Sequence, residues 1–213
     1  MAHQKGNALF LILIAVVLFA ALSYAITQSD RAGGHVSEEV STVGSTVLIQ
    51  HASAVGTGIS RLLLRGVDVA EIRTNEPSDD PSDKYNDVAS GQVFHPSGGG
   101  VSFQKVDLDM IIPGEKGEWI FTRIPDGDAP SVENIGTSAQ DMVAIVPYLK
   151  KSICSAITKK LSGSDDIPEL NLSLADMTNG TSTYSGAGIS GQPFMCVETT
   201  DNIYVYYHVL LEQ

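Results

Sequence analysis

The chain has 213 residues, 43% of them hydrophobic and 18% charged, and its thirteen Lys and Arg against twenty-five Asp and Glu leave a formal charge of -12. That balance repels phosphate backbones and anionic headgroups, so nucleic acid is not an expected partner. The apolar content excludes a disordered chain, and the length suits one ordinary domain beside one membrane-active segment.

The first element is written in "KGNALFLILIAVVLFAALSYAITQSD", residues 5 to 30. Asn7 to Ser29 carry no charge; as a helix this stretch spans about 34 Å at about 1.5 Å per residue, enough for a hydrocarbon core of about 30 Å. A cleaved secretory signal has a shorter apolar core and a more basic start. Ser23 and Ala25 nevertheless supply the small-x-small pattern that precedes such a cut, so a mature start at Ile26 stays open beside a retained or uncut helix. Lys5 stands before the run while Asp30 and Arg31 cancel behind it, which places the N-terminus inside and the following domain outside, in the periplasm or beyond.

The short leader "MAHQKG" places one Lys directly before Gly6, and the apolar run begins at once. This resembles the signal of type IV prepilins and pseudopilins, in which a membrane peptidase cuts after the glycine and leaves the helix on the mature protein. The resemblance covers about the first thirty residues. It implies that Gly6 precedes the cut, Asn7 is the new N-terminus, and Ala8 to Ile26 form the packing helix of a filament core. Family members usually begin the mature chain with an apolar residue and carry Glu at its fifth position; here those positions hold Asn7 and Leu11. In the family that carboxylate is thought to meet the N-terminal amine of a neighbouring subunit inside the membrane, where an unpaired charge is costly. Its absence points to a minor or divergent subunit rather than a major pilin.

After the membrane segment, Gly33-Gly34 reads as a hinge, and Ser37 before Glu38 and Glu39 reads as a helix start. Val40, Val43, Val47, Leu48, Val55, Ile59 and Leu62 then recur at helical spacing, predicting one long or once-broken helix over 37–72 with Gly56 and Gly58 as its weak point. The acidic stretch "NEPSDDPSDKYND", residues 75 to 87, predicts a surface loop. Asp79, Asp80, Asp83 and Asp87 are calcium candidates, since that ion takes six to eight oxygen ligands and some pseudopilins bind it in such loops; the spacing is not that of an EF-hand.

Residues 91–125 carry β-branched and alternating runs, with "HPSGGG" and "PGEKGE" as expected hairpin connections. The three glycines at 98–100 are followed by no lysine–hydroxyl pair, so a phosphate loop is not indicated. "DMVAIVPYLKKSICSAITKKL" predicts a buried strand, Met142 to Val146, and a helix opening at Pro147 and capped by Gly163. Its buried stripe is Leu149, Ile153, Ile157 and Leu161, with the lysines outward. A Gly, Ser and Thr-rich stretch over 178–192 precedes two strands, "PFMCVET" and "NIYVYYHVLLE", around a "TTDN" turn.

Cys154 and Cys196 sit in no CxxC or zinc-type spacing; in an oxidising compartment they can form a disulfide, the alternative being two buried free thiols. No nucleophile elbow or HExxH is present, and no enzyme activity is expected. His51, His95 and His208 are isolated, with His208 read as a structural strand residue and His95 as a turn residue. Asp107 and Asp109 alternate on an expected strand face without further support for glycosidase chemistry. Trp119, the only tryptophan, reads as core, with carbohydrate or partner contact as the use of an exposed edge.

The expected fold is α+β: an N-terminal transmembrane helix and a second long helix, then an antiparallel sheet domain with one further helix. The organisation is a leader over 1–6, the membrane or filament-core helix over 7–29, hinge and second helix over 30–73, and the globular domain over 74–213. The resemblance implies a structural subunit of a type IV pilus or type II secretion-related filament. It is held by the inner membrane, processed by a prepilin peptidase and partnered by itself or other pilin-like subunits, with no cofactor unless calcium. The alternatives are a single-pass anchored binding module and a secreted enzyme.

Overall fold

The computed structural model describes residues 7–30, 33–80, 83–122, 130–137, 140–179 and 182–212. The chain forms two units, residues 1–40 and 41–213, with the boundary inside the second helix. The first unit holds α1, Asn7–Asp30, whose 24 residues span about 36 Å. From Phe10 to Tyr24 every side chain of α1 is exposed, including Phe19 at 73% and Leu18 at 64%. Leader residues 1–6, with Gly6, lie outside the described residues.

The second helix, α2, runs over Gly33–Leu64, four residues earlier than the sequence suggested. Gly33 and Gly34 lie in the first turn of this helix, and Ser37 lies inside it. It also ends earlier than expected: Gly66, with φ of 85°, turns the chain, and the amide of Val67 reaches back to the Leu62 carbonyl at 3.1 Å. Gly56 and Gly58 do not break α2; they let it approach its neighbours. A Cβ on Gly58 would lie 2.5 Å from Val101 Cγ2, and one on Gly56 would lie 3.4 Å from the Leu210 carbonyl oxygen. Ser53, Thr57 and Ser60 donate to the carbonyls four residues back, so this face of α2 satisfies its own hydroxyls.

The second unit is built on a four-stranded antiparallel sheet of order β1-β3-β6-β5, comprising Ile120–Phe121, Met142–Val146, Tyr204–Leu211 and Phe194–Glu198. β3 occupies the residues the apolar run predicted, and all five are buried. A strand buried on both sides needs no polar alternation. On one side Ala144, Val146, Tyr206 and Leu210 join α2 and the helix α4, Lys151–Ser162, in a core with Leu48, Val55 and Ile59. On the other, Val143, Ile145, Val205 and Tyr207 pack against Leu170, Met177, Tyr184 and Ile189. That second layer contains the short helix α5, Leu174–Asn179, and a parallel pairing of β2, Ser131–Val132, with β4, Thr183–Tyr184. Within it Tyr184 Oη donates to the Met177 carbonyl at 2.7 Å.

Two expectations are corrected. The helix after β3, α4, starts at Lys151 and not at Pro147. Tyr148 adopts φ of 60°, outside the helical range, and its carbonyl accepts from the Ile112 amide while Leu149 donates to Tyr204, so these backbone groups are committed elsewhere. Leu149 is still buried, beside Ile153 and Ile157, and Gly163 caps α4 with φ of 75°. The second correction concerns 91–112, which forms no hairpins. Its regular structure is two 3-10 turns, Ala89–Gly91 and Leu108–Met110, and two isolated bridges, Arg73 with Gln92 and Ile111 with Leu149. The chain folds tightly on itself there: a Cβ on Gly98 would sit 2.0 Å from the Gln92 carbonyl oxygen. Val93, Phe94, Val101 and Val106 are buried in the core without a strand ladder.

Candidate functional site

α1 is apolar around its whole circumference, so it has no polar face to turn to water when its apolar residues are covered. Its length exceeds a hydrocarbon core of about 30 Å. Asn7 begins the helix, Leu11 is exposed at 61%, and Ala25 lies within the helical backbone rather than at its end. The stretch Glu39–Leu64 of α2 is also long and apolar enough to span a membrane. Leu48, Ala52, Val55, Ile59 and Leu62 are, however, buried in the domain core, which accounts for its apolar content. Val40, Val43 and Val47 remain exposed on α2, at 48%, 62% and 39%.

Cys154 of α4 and Cys196 of β5 form a disulfide with Cα atoms 5.3 Å apart, closing a separation of 42 residues inside the core. It ties the helix to an edge strand of the sheet. Lys160, on the same helix, donates to the Thr42 carbonyl and Ser45 Oγ of α2, each at 2.8 Å, and to Thr46 Oγ1.

The acidic residues of the 75–87 loop are not gathered. Asp83 spends its carboxylate on the Tyr85 amide, capping the single turn α3, Lys84–Asp87. Among the described residues no three His, Cys, Asp or Glu side chains come together as a metal-binding group, so Asp79, Asp80, Asp83 and Asp87 are not brought into a calcium site. Asp107 and Asp109 do not share a strand face; Asp107 caps the 3-10 turn Leu108–Met110, accepting from the amide of Asp109 within it. His95 is a turn residue whose Nδ1 accepts from the Ser97 amide at 3.1 Å. His208 is buried with Nδ1 2.7 Å from Tyr206 Oη, and burial pushes its pKa down to about 4.

The sequence left one assembly unseen. Trp119 is half-buried, not fully core, and its Nε1 donates to the Gln104 carbonyl at 3.1 Å. Its ring lies nearly parallel to that of Phe121, with centroids 6.0 Å apart. Ile120 between them packs on the opposite side of the sheet, the alternation of an extended strand. Behind the pair sits His51, 5.1 Å from Trp119, buried, lowered in pKa by that burial, and with Nε2 lacking a hydrogen-bond partner. Two clefts, of about 650 and 480 Å³, are both lined by Trp119 and Phe121 and also share Thr74 and Glu76. Gln92, fully buried, donates to Asn75 Oδ1 at 3.1 Å and to the Lys84 carbonyl at 2.9 Å, fixing the wall of the larger cleft.

Fold and site together define an α+β protein with an antiparallel four-stranded sheet, one core disulfide, an exposed apolar stretch in α1 and, in α2, a helix long and apolar enough to span a membrane. No family model, curated protein or solved structure matches the chain.

Proposed function

We propose that the protein is a pilin-like or pseudopilin-like structural subunit, minor or divergent, of a bacterial surface or periplasmic filament. The observation that carries this reading is α1, Asn7–Asp30, whose sequence is unbroken apolar from Ala8 to Leu22, taken with the short leader that ends at Gly6 in the sequence. In this reading a prepilin peptidase cuts after Gly6, and α1 first holds the subunit in the inner membrane with the domain outside. Assembly then exchanges lipid contacts for contacts between helices.

Such exchange gains little from hydrophobicity, because lipid is as apolar as the helix; it depends on close packing at small residues. Ala15, Ala20 and Ala21 supply them on α1. The disulfide fits an oxidising compartment outside the membrane.

The test is cross-linking in native membranes. Single cysteines replacing residues along α1 should give ladders of cross-linked copies, or of this chain with other pilin-like subunits, at a subset of positions spaced by three or four. Monomer alone at every position, in cells that show the filament phenotype, would remove the assembly role and favour a single-pass anchored binding module.

A further inference from the structure

We propose that the cleft floored by Trp119 and Phe121 is a binding site for an uncharged oligosaccharide. The inference stands apart from the filament reading and rests on the second unit alone. Four features of the cleft lead to it.

The first is the platform. Trp119 and Phe121 stack with nearly parallel rings at one sheet edge, both partly buried, and both line the cleft. Aromatic faces of this kind accept the apolar C–H faces of a pyranose ring while its hydroxyls point outward. The second is size: about 650 Å³ lies within the range of small-molecule sites. A further cleft of about 480 Å³ continues across the same two rings, so the site accommodates consecutive sugar units rather than one.

The third is charge. The larger cleft carries Arg73 and Lys84 against Glu76 and Asp87, two of each sign, on a chain whose formal charge is -12. A phosphate or carboxylate ligand would meet no net attraction, whereas hydroxyl groups, which both donate and accept, use both signs. The fourth is preorganisation. The indole is fixed by the Gln104 carbonyl and by the buried His51 ring, and the Asn75–Lys84 wall is tethered by Gln92, so little freedom remains to be lost on binding.

Trp119 is the only tryptophan, so intrinsic fluorescence reports from the site itself. The full-length protein, held in a zwitterionic detergent without a sugar headgroup, would be titrated with cellotetraose, chitotetraose and maltotetraose, and with a proline-rich peptide as a competing class. The expected result is a saturable spectral change with at least one tetrasaccharide, in the millimolar range or tighter, and insensitive to added salt because the ligand is neutral. Asp87→Ala should weaken it about tenfold while leaving thermal unfolding unchanged. By calorimetry Trp119→Ala should lose binding and Trp119→Phe retain part of it. Failure of all three sugars to saturate, or binding that Asp87→Ala and Phe121→Ala leave intact, would overturn the proposal. Saturation by the peptide alone would assign the cleft to a protein partner instead.

Discussion

Tyr206 Oη lies 2.7 Å from His208 Nδ1, on one face of the central strand β6, and both side chains are buried. Burial raises the pKa of Tyr206 well above the ordinary phenol value, so its hydroxyl keeps its proton within the hydrogen bond to the imidazole. Phe194 stacks on the imidazole with ring centroids 4.8 Å apart. The same burial holds His208 down to about 4, against about 6.5 in an unfolded chain.

A depressed histidine pKa means that acid favours the unfolded chain, which takes up the proton first. The stability that His208 contributes is therefore complete above about pH 6.5 and is lost as pH falls towards about 4, with a ceiling of about 3 kcal/mol. His51, also lowered by burial, acts in the same direction. Thermal melts between pH 7 and 4 should show this decline, and His208→Gln should flatten it; a wild-type melting temperature constant over that interval would contradict the assignment.

The Cys154–Cys196 bond closes a separation of 42 residues, worth about 4 kcal/mol by the chain-entropy model. Urea unfolding with and without reductant should separate by roughly that amount, and Cys154→Ser/Cys196→Ser should reproduce the reduced curve without further response to reductant. Coincident curves would mean that the bond adds nothing.

Gly58 shows why α2 runs unbroken through a glycine pair. Alanine there would raise helix propensity by about 1 kcal/mol, but its Cβ would press on Val101 Cγ2 at 2.5 Å and Val93 Cγ1 at 3.0 Å. The overpacking should win, giving a net loss of about 1 kcal/mol in denaturant unfolding. Adding Val101→Ala to Gly58→Ala should recover part of it through coupling between neighbours. Simple additivity of the two losses would place the strain elsewhere.

Lys160→Met tests the contact between α4 and α2. It removes donors to the Thr42 carbonyl, Ser45 Oγ and Thr46 Oγ1 while preserving most of the aliphatic stem. Because the lysine is largely exposed, solvent screens the charge, and the loss should be about 1 kcal/mol in urea unfolding. Stability equal to wild type would make the lysine an ornament of the surface.

Periodicity revealed the elements whose burial follows one simple rule. β3 is an unbroken apolar run buried on both faces, the two final strands are β-branched and aromatic, and α4 carries a stripe that ends at Gly163. Segment 91–112 departs from the expected strands because its apolar residues are buried by tight glycine-dependent turns, which mimic the composition of strands without their ladder. The start of α4 shifted because Tyr148 and Leu149 bond to Ile112 and Tyr204, distant partners that no local pattern announces. The aromatic cleft was out of reach for the same reason: Arg73, Asp87 and Trp119 meet only through the fold. The aromatic spacing Phe94, Phe103, Trp119, Phe121 is its one signal in the sequence.

α1 decides the rest, and its origin can be read from the mature end of the chain. The direct measurement is intact mass and N-terminal sequence of the protein from its native membrane fraction. Prepilin-type processing predicts a chain beginning at Asn7, with all of α1 retained. A chain beginning at Ile26 would mean a secreted domain that has lost the helix, and one beginning at Met1 or Ala2 would mean an uncut anchor; either would contradict the filament-subunit reading.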